Sequence, residues 1–378
     1  MVERIGRCIF WSGVFSATAF YVSCPSGVVR ADGHVKGPVG YEGSLEERSQ
    51  EAIIIFEESE EIGRAEEDMI LKIAVAGQTD RFAWIVPFPS EPKVTPADGK
   101  LFKELYDYVA FRLRTGKGVV AKKKGLGGGG FGGGEGGVDV LSREPVGVYD
   151  VATVRENEPG ALNEWLDAEG YEPIENGDDV ISEYREKGYV FCCIKVSEAH
   201  AAEREEANLH PLRFRFLTGG RDSVYFPMKL TSLQDERFHV NLYVFTRREL
   251  NDRHGPFGFE RRGFHSTFSD SWETWPVHTE GPGATEPRTA GRPVWSDAEH
   301  DLYLRDVAGK IPTVTSLFRE AYPGERFILT TVGASYLEPA DIRKWPSDLW
   351  IFPRLGSRRA IPLDARHGGP ARGANATK

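Results

Sequence analysis

Residues 80–92, DRFAWIVPFPSEP, leave the backbone few options. Pro87 and Pro89 hold φ at about −65°, carry no amide hydrogen and push Val86 and Phe88 into extended geometry. Phe82, Trp84 and Val86 alternate with Ala83 and Ile85, which is the period of a strand with two distinct faces. A proline cannot donate to a ladder, so such a strand belongs at a sheet edge or at the end of a sheet. The stretch predicts a half-buried strand with a stiff exit. A groove beside that exit, with Trp84 as its floor, is the competing reading.

Flanking segments supply partners. EAIIIFEES and DMILKIAVAG predict two neighbouring strands, and residues 57–68, EESEEIGRAEED, predict a charged turn between them. TPADGKLFKELYDYVAFRLR predicts a helix with Thr95 as N-cap and Pro96 at its first position. Its stripe of Leu101, Leu105, Tyr108 and Val109 is expected to meet the Trp84 face. Further on, VGVYDVATV predicts a strand. EPGALNEWLDAEGY and DDVISEYREKG predict helices stopped by Gly170 and Gly188, the first with Leu162, Trp165 and Leu166 inward, the second with Val180, Ile181 and Tyr184. YVFCCIKVS, LRFRFLTGG, VYFPMKLTSL and FHVNLYVFTR predict four strands whose short links favour antiparallel pairing of neighbours. The expected class is α+β: mostly antiparallel β-sheets with helices packed on one side.

The pattern divides the chain into an export signal (1–31), an α+β block (32–121), a glycine-rich linker (122–138) and a second α+β block (139–250). An irregular excursion (251–295), a helix–strand segment (296–355) and a disordered tail (356–378) follow. Ser296 and Glu299 stand at capping-box spacing, and ERFILTTVGASYL predicts a late strand. The glycine run GLGGGGFGGGEGG suggests a phosphate cradle, but no Gly-Lys-Ser/Thr closes it and no helix pattern follows, so it reads as a flexible loop.

The first residues carry Arg4 and Arg7, then the apolar run CIFWSGVFSATAFYV, then Val29-Arg30-Ala31. A basic start, a short apolar core and a small-x-small exit describe a secretory signal cleaved after Ala31. A lipoprotein through Cys24, with the bulky Tyr21 against it, and a retained anchor are the other readings. No later run is long and apolar enough to span a bilayer. Outside the signal only Cys192 and Cys193 remain; neighbours on a strand point to opposite faces, so two buried thiols are expected and no disulfide framework, with a strained vicinal disulfide or redox pair as the other reading. The formal net charge of −10 and the absence of a basic aromatic patch exclude a nucleic-acid partner.

No HExxH, GxSxG, SxxK, CxxC or EF-hand loop occurs, and no catalytic residue, metal ligand or cofactor site is assigned. His254, His265 and His278, with Asp252, Glu260, Asp270 and Glu273 between them, lack metal-ligand spacing; His200, His210 and His239 read as structural. The residues best suited to touch a ligand are Trp272 and Trp275 of the excursion, then Trp84.

SQEAIIIFEE, DRFAWIVPFPSEPKV and LFKEL together resemble the signature of domain-of-unknown-function family 2330. GVYDVATV, ALNEWLDAEGY, GYVFCCIKV and LRFRFLTGGRDSVYFPMKLTS extend the likeness over roughly residues 31–250. The resemblance implies an exported or envelope-anchored bacterial protein without an assigned activity, and it supplies no catalytic residues. The functional expectation is a non-catalytic binding or interaction module of the envelope, with an envelope protein or a glycan as partner. An envelope hydrolase with an unrecognised active site is the alternative.

Overall fold

Three isoleucines in succession, Ile53–Ile55, cannot all face one side of a strand, so a strand carrying them needs cover on both faces. The computed structural model provides it. It describes residues 34–40, 49–59, 61, 63, 65–72, 82–114, 137–196, 210–219, 223–251, 259–273, 311–323 and 325–354. The expected export signal, the glycine run up to residue 136, the helix expected from Ser296 and the tail lie outside these residues, while Gly137 opens a strand.

In chain order the described elements are β1 (His34–Lys36), β2 (Ser49–Glu57), β3 (Glu66–Leu71), β4 (Ala83–Phe88), β5 (Lys93–Pro96), α1 (Lys100–Arg114), β6 (Gly137–Val146) and β7 (Tyr149–Asn157). Then come α2 (Ala161–Ala168), α3 (Asp178–Glu186), β8 (Val190–Val196), β9 (Leu212–Leu217), β10 (Val224–Phe226) and β11 (Phe238–Thr246). β12 (His265–Glu273), α4 (Pro312–Ala321), β13 (Arg326–Leu337), α5 (Pro339–Ile342) and β14 (Leu349–Ile351) complete them. The protein is α+β with mostly antiparallel sheets. A five-stranded sheet has the order β1-β4-β8-β7-β6, a seven-stranded sheet the order β12-β13-β11-β2-β3-β9-β5, and β10 pairs with β14 in a short ribbon. The parallel contact is β11 with β2. Both sheets mix strands from before and after the glycine run.

The sheets face each other. Trp84 and Phe88 of β4 reach Phe214 of β9 at ring-centroid distances of 6.3 and 4.9 Å. Ile54, Phe56, Met69, Leu71, Val86, Cys192, Val240 and Leu242 fill the same inter-sheet core. The outer face of the seven-stranded sheet, with Ile53, Ile55, Ile70, Tyr243 and Phe245, is covered by Leu101, Phe102, Leu105 and Tyr108 of α1 and by Val314 and Phe318 of α4. The outer face of the five-stranded sheet meets α2 and α3, where Phe191 packs edge-on against Tyr184. Each sheet thus carries its helices on one side, the outer one.

Several expectations change. The α1 stripe does not meet Trp84; a whole sheet separates them, because Ile53 and Ile55 need their own cover. Thr95 and Pro96 belong to β5, paired with Arg213 and Leu212, and α1 starts later, where Asp98 Oδ1 accepts the Lys100 amide at 2.9 Å. The four successive strands β8, β9, β10 and β11 do not pair with one another: each crosses to an older or later strand. The region read as an irregular excursion contains β12, which is antiparallel to β13. The charged turn is shorter than expected, since Glu66, Glu67 and Asp68 are already in β3. Cys192 and Cys193 are free and buried on opposite faces, and burial pushes both thiols up.

Pro87 explains the opening stretch. β1 pairs with β4 only at Ala83–Ile85, so beyond that point one side of β4 has no described partner strand. There the Pro87 carbonyl accepts the Tyr225 hydroxyl at 3.0 Å. Just after Pro89, Ser90 Oγ accepts the Leu217 amide and donates to the Leu217 carbonyl, both at 2.9 Å, tying the exit to the second sheet.

Candidate functional site

Tyr225 stands at the junction of the two sheets and the β10/β14 ribbon, and its two ends reach two buried acids. Its hydroxyl is 3.3 Å from Asp348 Oδ2 as well as within reach of Pro87. Asp348 Oδ1 accepts the Tyr184 hydroxyl at 2.7 Å and the backbone amides of Met228 and Lys229 at 2.8 Å each. Tyr184 in turn accepts the Leu230 amide at 3.3 Å. Lys229 ties the periphery: its ammonium meets Glu183 at 2.9 Å and the carbonyls of Trp345 and Arg343 at 2.9 and 3.1 Å. Arg262 donates to the Ser347 and Asp348 carbonyls and lies over the Trp345 ring, 5.0 Å from its centroid. Burial, then the Asp348 charge, pushes both Tyr184 and Tyr225 well above the ordinary phenol range. Tyr225, Tyr184 and Asp348 are all buried, and this cluster holds the ribbon to the sheets.

The other end of Tyr225 is its amide, which donates to Glu67 Oε2 at 2.7 Å. Next door on β3, Asp68 points to the opposite face. Arg213 grips it through Nε, 2.7 Å from Oδ1, and through Nη2, and Tyr322 donates to Oδ2 at 2.6 Å. Near the helical end of that face, Glu104 of α1 caps α4. Its carboxylate accepts Thr313 Oγ1 at 2.8 Å and the Val314 amide at 2.9 Å, a service that no residue of α4 itself supplies.

Among the described residues two aromatic side chains stand well out into solvent, Tyr106 of α1 and Tyr336 of β13, and the second sits on a backbone irregularity. The register of β11 against β13 slips between Phe238, opposite Leu337, and Val240, opposite Ala334. Ser335 and Tyr336 therefore oppose His239 alone, which is a bulge. Tyr336 takes φ 59°, a left-handed conformation that a tyrosine adopts at a cost of about 1–2 kcal/mol. The bulge turns it outward: Tyr336 is 69% exposed and meets the exposed His239 ring edge-to-face at 4.7 Å. Phe238 and Leu337 on either side stay buried and anchor it, and the Arg237–Glu338 ion pair, 2.6 Å, borders it.

Of the tryptophans singled out in the sequence, Trp84 has no exposed surface and its ring lies between the sheets. Trp272 lies in β12 opposite Phe327, not in a loop, and Trp275 lies outside the described residues. His265 opens β12, His239 joins the bulge, and His210 packs against Tyr149, where a Cβ on Gly147 would collide with its ring. His200, His254 and His278 lie outside the described residues. Among the described residues no His, Cys, Asp and Glu side chains gather in a group that could hold a metal ion. Sequence reasoning missed Tyr336: ASYL reads as ordinary strand, and only the slipped register reveals it.

These features define a two-sheet α+β protein with a sealed polar joint and an exposed aromatic bulge. The chain belongs to DUF2330, an uncharacterized protein family conserved in bacteria, whose profile matches residues 55–311. No curated protein matches it. Among solved structures, that of baculovirus P35 aligns at 11% identity over 61% of this chain and 75% of the other, with a TM-score of 0.29. At that score the likeness carries no argument about fold or activity. Among the described residues no helix is long and apolar enough to cross a membrane.

Proposed function

We propose that this protein is an exported, envelope-associated interaction module that holds a cell-envelope glycan against the Tyr336 bulge. The observation that carries the reading is Tyr336: an exposed ring held in a left-handed backbone conformation by a bulge whose flanking Phe238 and Leu337 are buried. Strain of that kind persists where the surroundings over-determine it, and it concentrates at functional positions. Tyrosine joins a flat apolar face to a polar tip. With His239 beside it and the Arg237–Glu338 pair at its border, the patch suits the alternating C–H faces and hydroxyls of a sugar. Export is supported by the basic-apolar-small pattern of residues 1–31. The Asp348, Tyr184 and Tyr225 cluster is buried, which fits a structural role for it rather than hydrolysis.

Tyr336→Gly tests this. Glycine accepts a positive φ without strain, so the variant should fold as well as the parent or gain up to about 1 kcal/mol. In a pelleting assay with purified bacterial cell-wall glycan it should lose at least tenfold in affinity. Equal pelleting of both proteins would sink the glycan reading, and transfer of binding to a protein fraction of the envelope would replace it with the protein-partner reading.

A further inference from the structure

Several polar atoms of the inter-sheet core, Trp84 Nε1 among them, have no partner among the described residues, and two of them belong beside the β10 ribbon. Glu67 has no exposed surface; Oε2 accepts the Tyr225 amide, and Oε1 has no partner among the described residues. Ser223, just before the same ribbon strand, is also fully buried, and its hydroxyl has no partner either. β3 sets Glu67 between Phe56 of β2 and Phe216 of β9, its opposite numbers in register, and Phe216 packs edge-on against Tyr225. Among the described residues no lysine, arginine or histidine forms an ion pair with Glu67. The titratable groups around it are Asp68, next in β3 but on the opposite face, and Tyr225. Through the Tyr225 phenol they extend to Tyr184, Tyr189 and Asp348. None of these carries a positive charge that would offset an ionised Glu67.

We propose that Glu67 is a proton switch, held as a neutral acid while β10 is docked and releasing β10 when it ionises. With the Tyr225 amide donating to Oε2, Oε2 acts as the carbonyl oxygen and Oε1 carries the proton. An ionised carboxylate there would have one donor in a space lined by phenylalanines, and a buried charge so poorly bonded is expelled or neutralised. Burial first, and then the Asp68 charge, push the Glu67 carboxyl well above its ordinary value, against the pull of the Tyr225 amide. The sign follows. The folded protein holds this proton more tightly than the unfolded chain does. The contribution is therefore complete below the ordinary glutamate value of 4.5 and is lost as pH rises through the raised folded value. The joint should loosen in alkali, and first at Val224–Phe226.

The full chain and Glu67→Gln, which keeps the shape and the acceptor but cannot ionise, are compared by amide hydrogen exchange between pH 5 and pH 9, corrected for intrinsic rates. Protection of β10 in the parent should fall at least tenfold across that range and stay level in the variant. Parallel slopes in the two proteins would overturn the proposal. Infrared spectra of the parent in D2O give a second readout that needs no variant: a protonated-carboxyl band should persist at pH 7 and disappear in alkali. Its absence at pH 7 would overturn the proposal equally.

Discussion

Asp348 and Glu67 are both buried acids touched by Tyr225, and they are provided for in opposite ways. Asp348 receives two backbone amides and one phenol at 2.8 Å or less, with a second phenol at 3.3 Å. Glu67 receives one amide. A carboxylate surrounded by converging donors can stay charged in a protein interior, whereas one with a single donor is better neutral. The first kind fixes structure at every pH where it is ionised. The second makes structure depend on pH. Their common partner means that the same short strand, β10, is locked at one end and conditional at the other.

The largest break in that contrast should come from Asp348→Ala. It leaves the amides of Met228 and Lys229 and the Tyr184 hydroxyl buried without an acceptor, and each such orphan costs about 1–3 kcal/mol. A loss of at least about 3 kcal/mol is expected, a large share of the roughly 5–15 kcal/mol that holds a domain together. Urea unfolding followed by tryptophan fluorescence measures it. A loss below about 1 kcal/mol would show that the donors find water, and that the joint is open rather than sealed. Tyr225→Phe should cost less, about 1–2 kcal/mol, because it removes one hydroxyl shared between Pro87 and Asp348 and keeps the packing. It should leave the pH response assigned to Glu67 intact, since the Tyr225 amide remains. A flattened response in Tyr225→Phe would mean that the phenol, and not the amide alone, carries the effect.

Most strands and helices were legible as local pattern, and the reason is visible in particular residues. Ile53–Ile55 with Phe56, the FCCI run and FHVNLYVFT are all strand-forming by composition, and Leu162, Leu166, Val180, Ile181 and Tyr184 repeat at helical spacing. What local pattern cannot carry is which sheet a strand joins. Trp84 and Leu101 look like partners because they are close in sequence, but β2 turns two greasy faces outward and needs both β4 and α1, one on each side. Glu67 and Asp68 were read as part of a charged turn because acids in sequence look solvated. Their burial depends on Tyr225, Arg213 and Tyr322, between 145 and 254 positions away. Asp348 drew no notice for the same reason. The Tyr336 bulge lies beyond any periodicity argument, since one extra residue in β13 is defined only against His239 of β11.

A third acid sharpens the contrast from the solvent side, with the smallest effect. Glu169, just past α2, is met by Arg143 of β6 in a two-pronged contact, 2.8 Å at each oxygen, and by Lys195 of β8 at 2.6 Å. It has as many close donors as Asp348, and the hydrogen bond from Arg143, reinforced by Lys195, lowers its carboxyl to about 2. Water competes for every one of these groups, however, and exposed ion pairs contribute at most about 1 kcal/mol. A lowered folded value means that the contribution is complete above the unfolded carboxyl's 4.5 and is lost as pH falls from there through about 2. Glu169→Gln should therefore be slightly less stable than the parent at pH 6, by under about 1 kcal/mol, and the gap should close by pH 2. That direction is opposite to Glu67→Gln, whose advantage over the parent should grow with pH. Urea melts of the two variants across the range place the three acids on one scale. A Glu169 gap that stays constant down to pH 2 would show that packing of the side chain, not its charge, sets the difference, and donor count alone would then not separate the buried acids from the half-buried one.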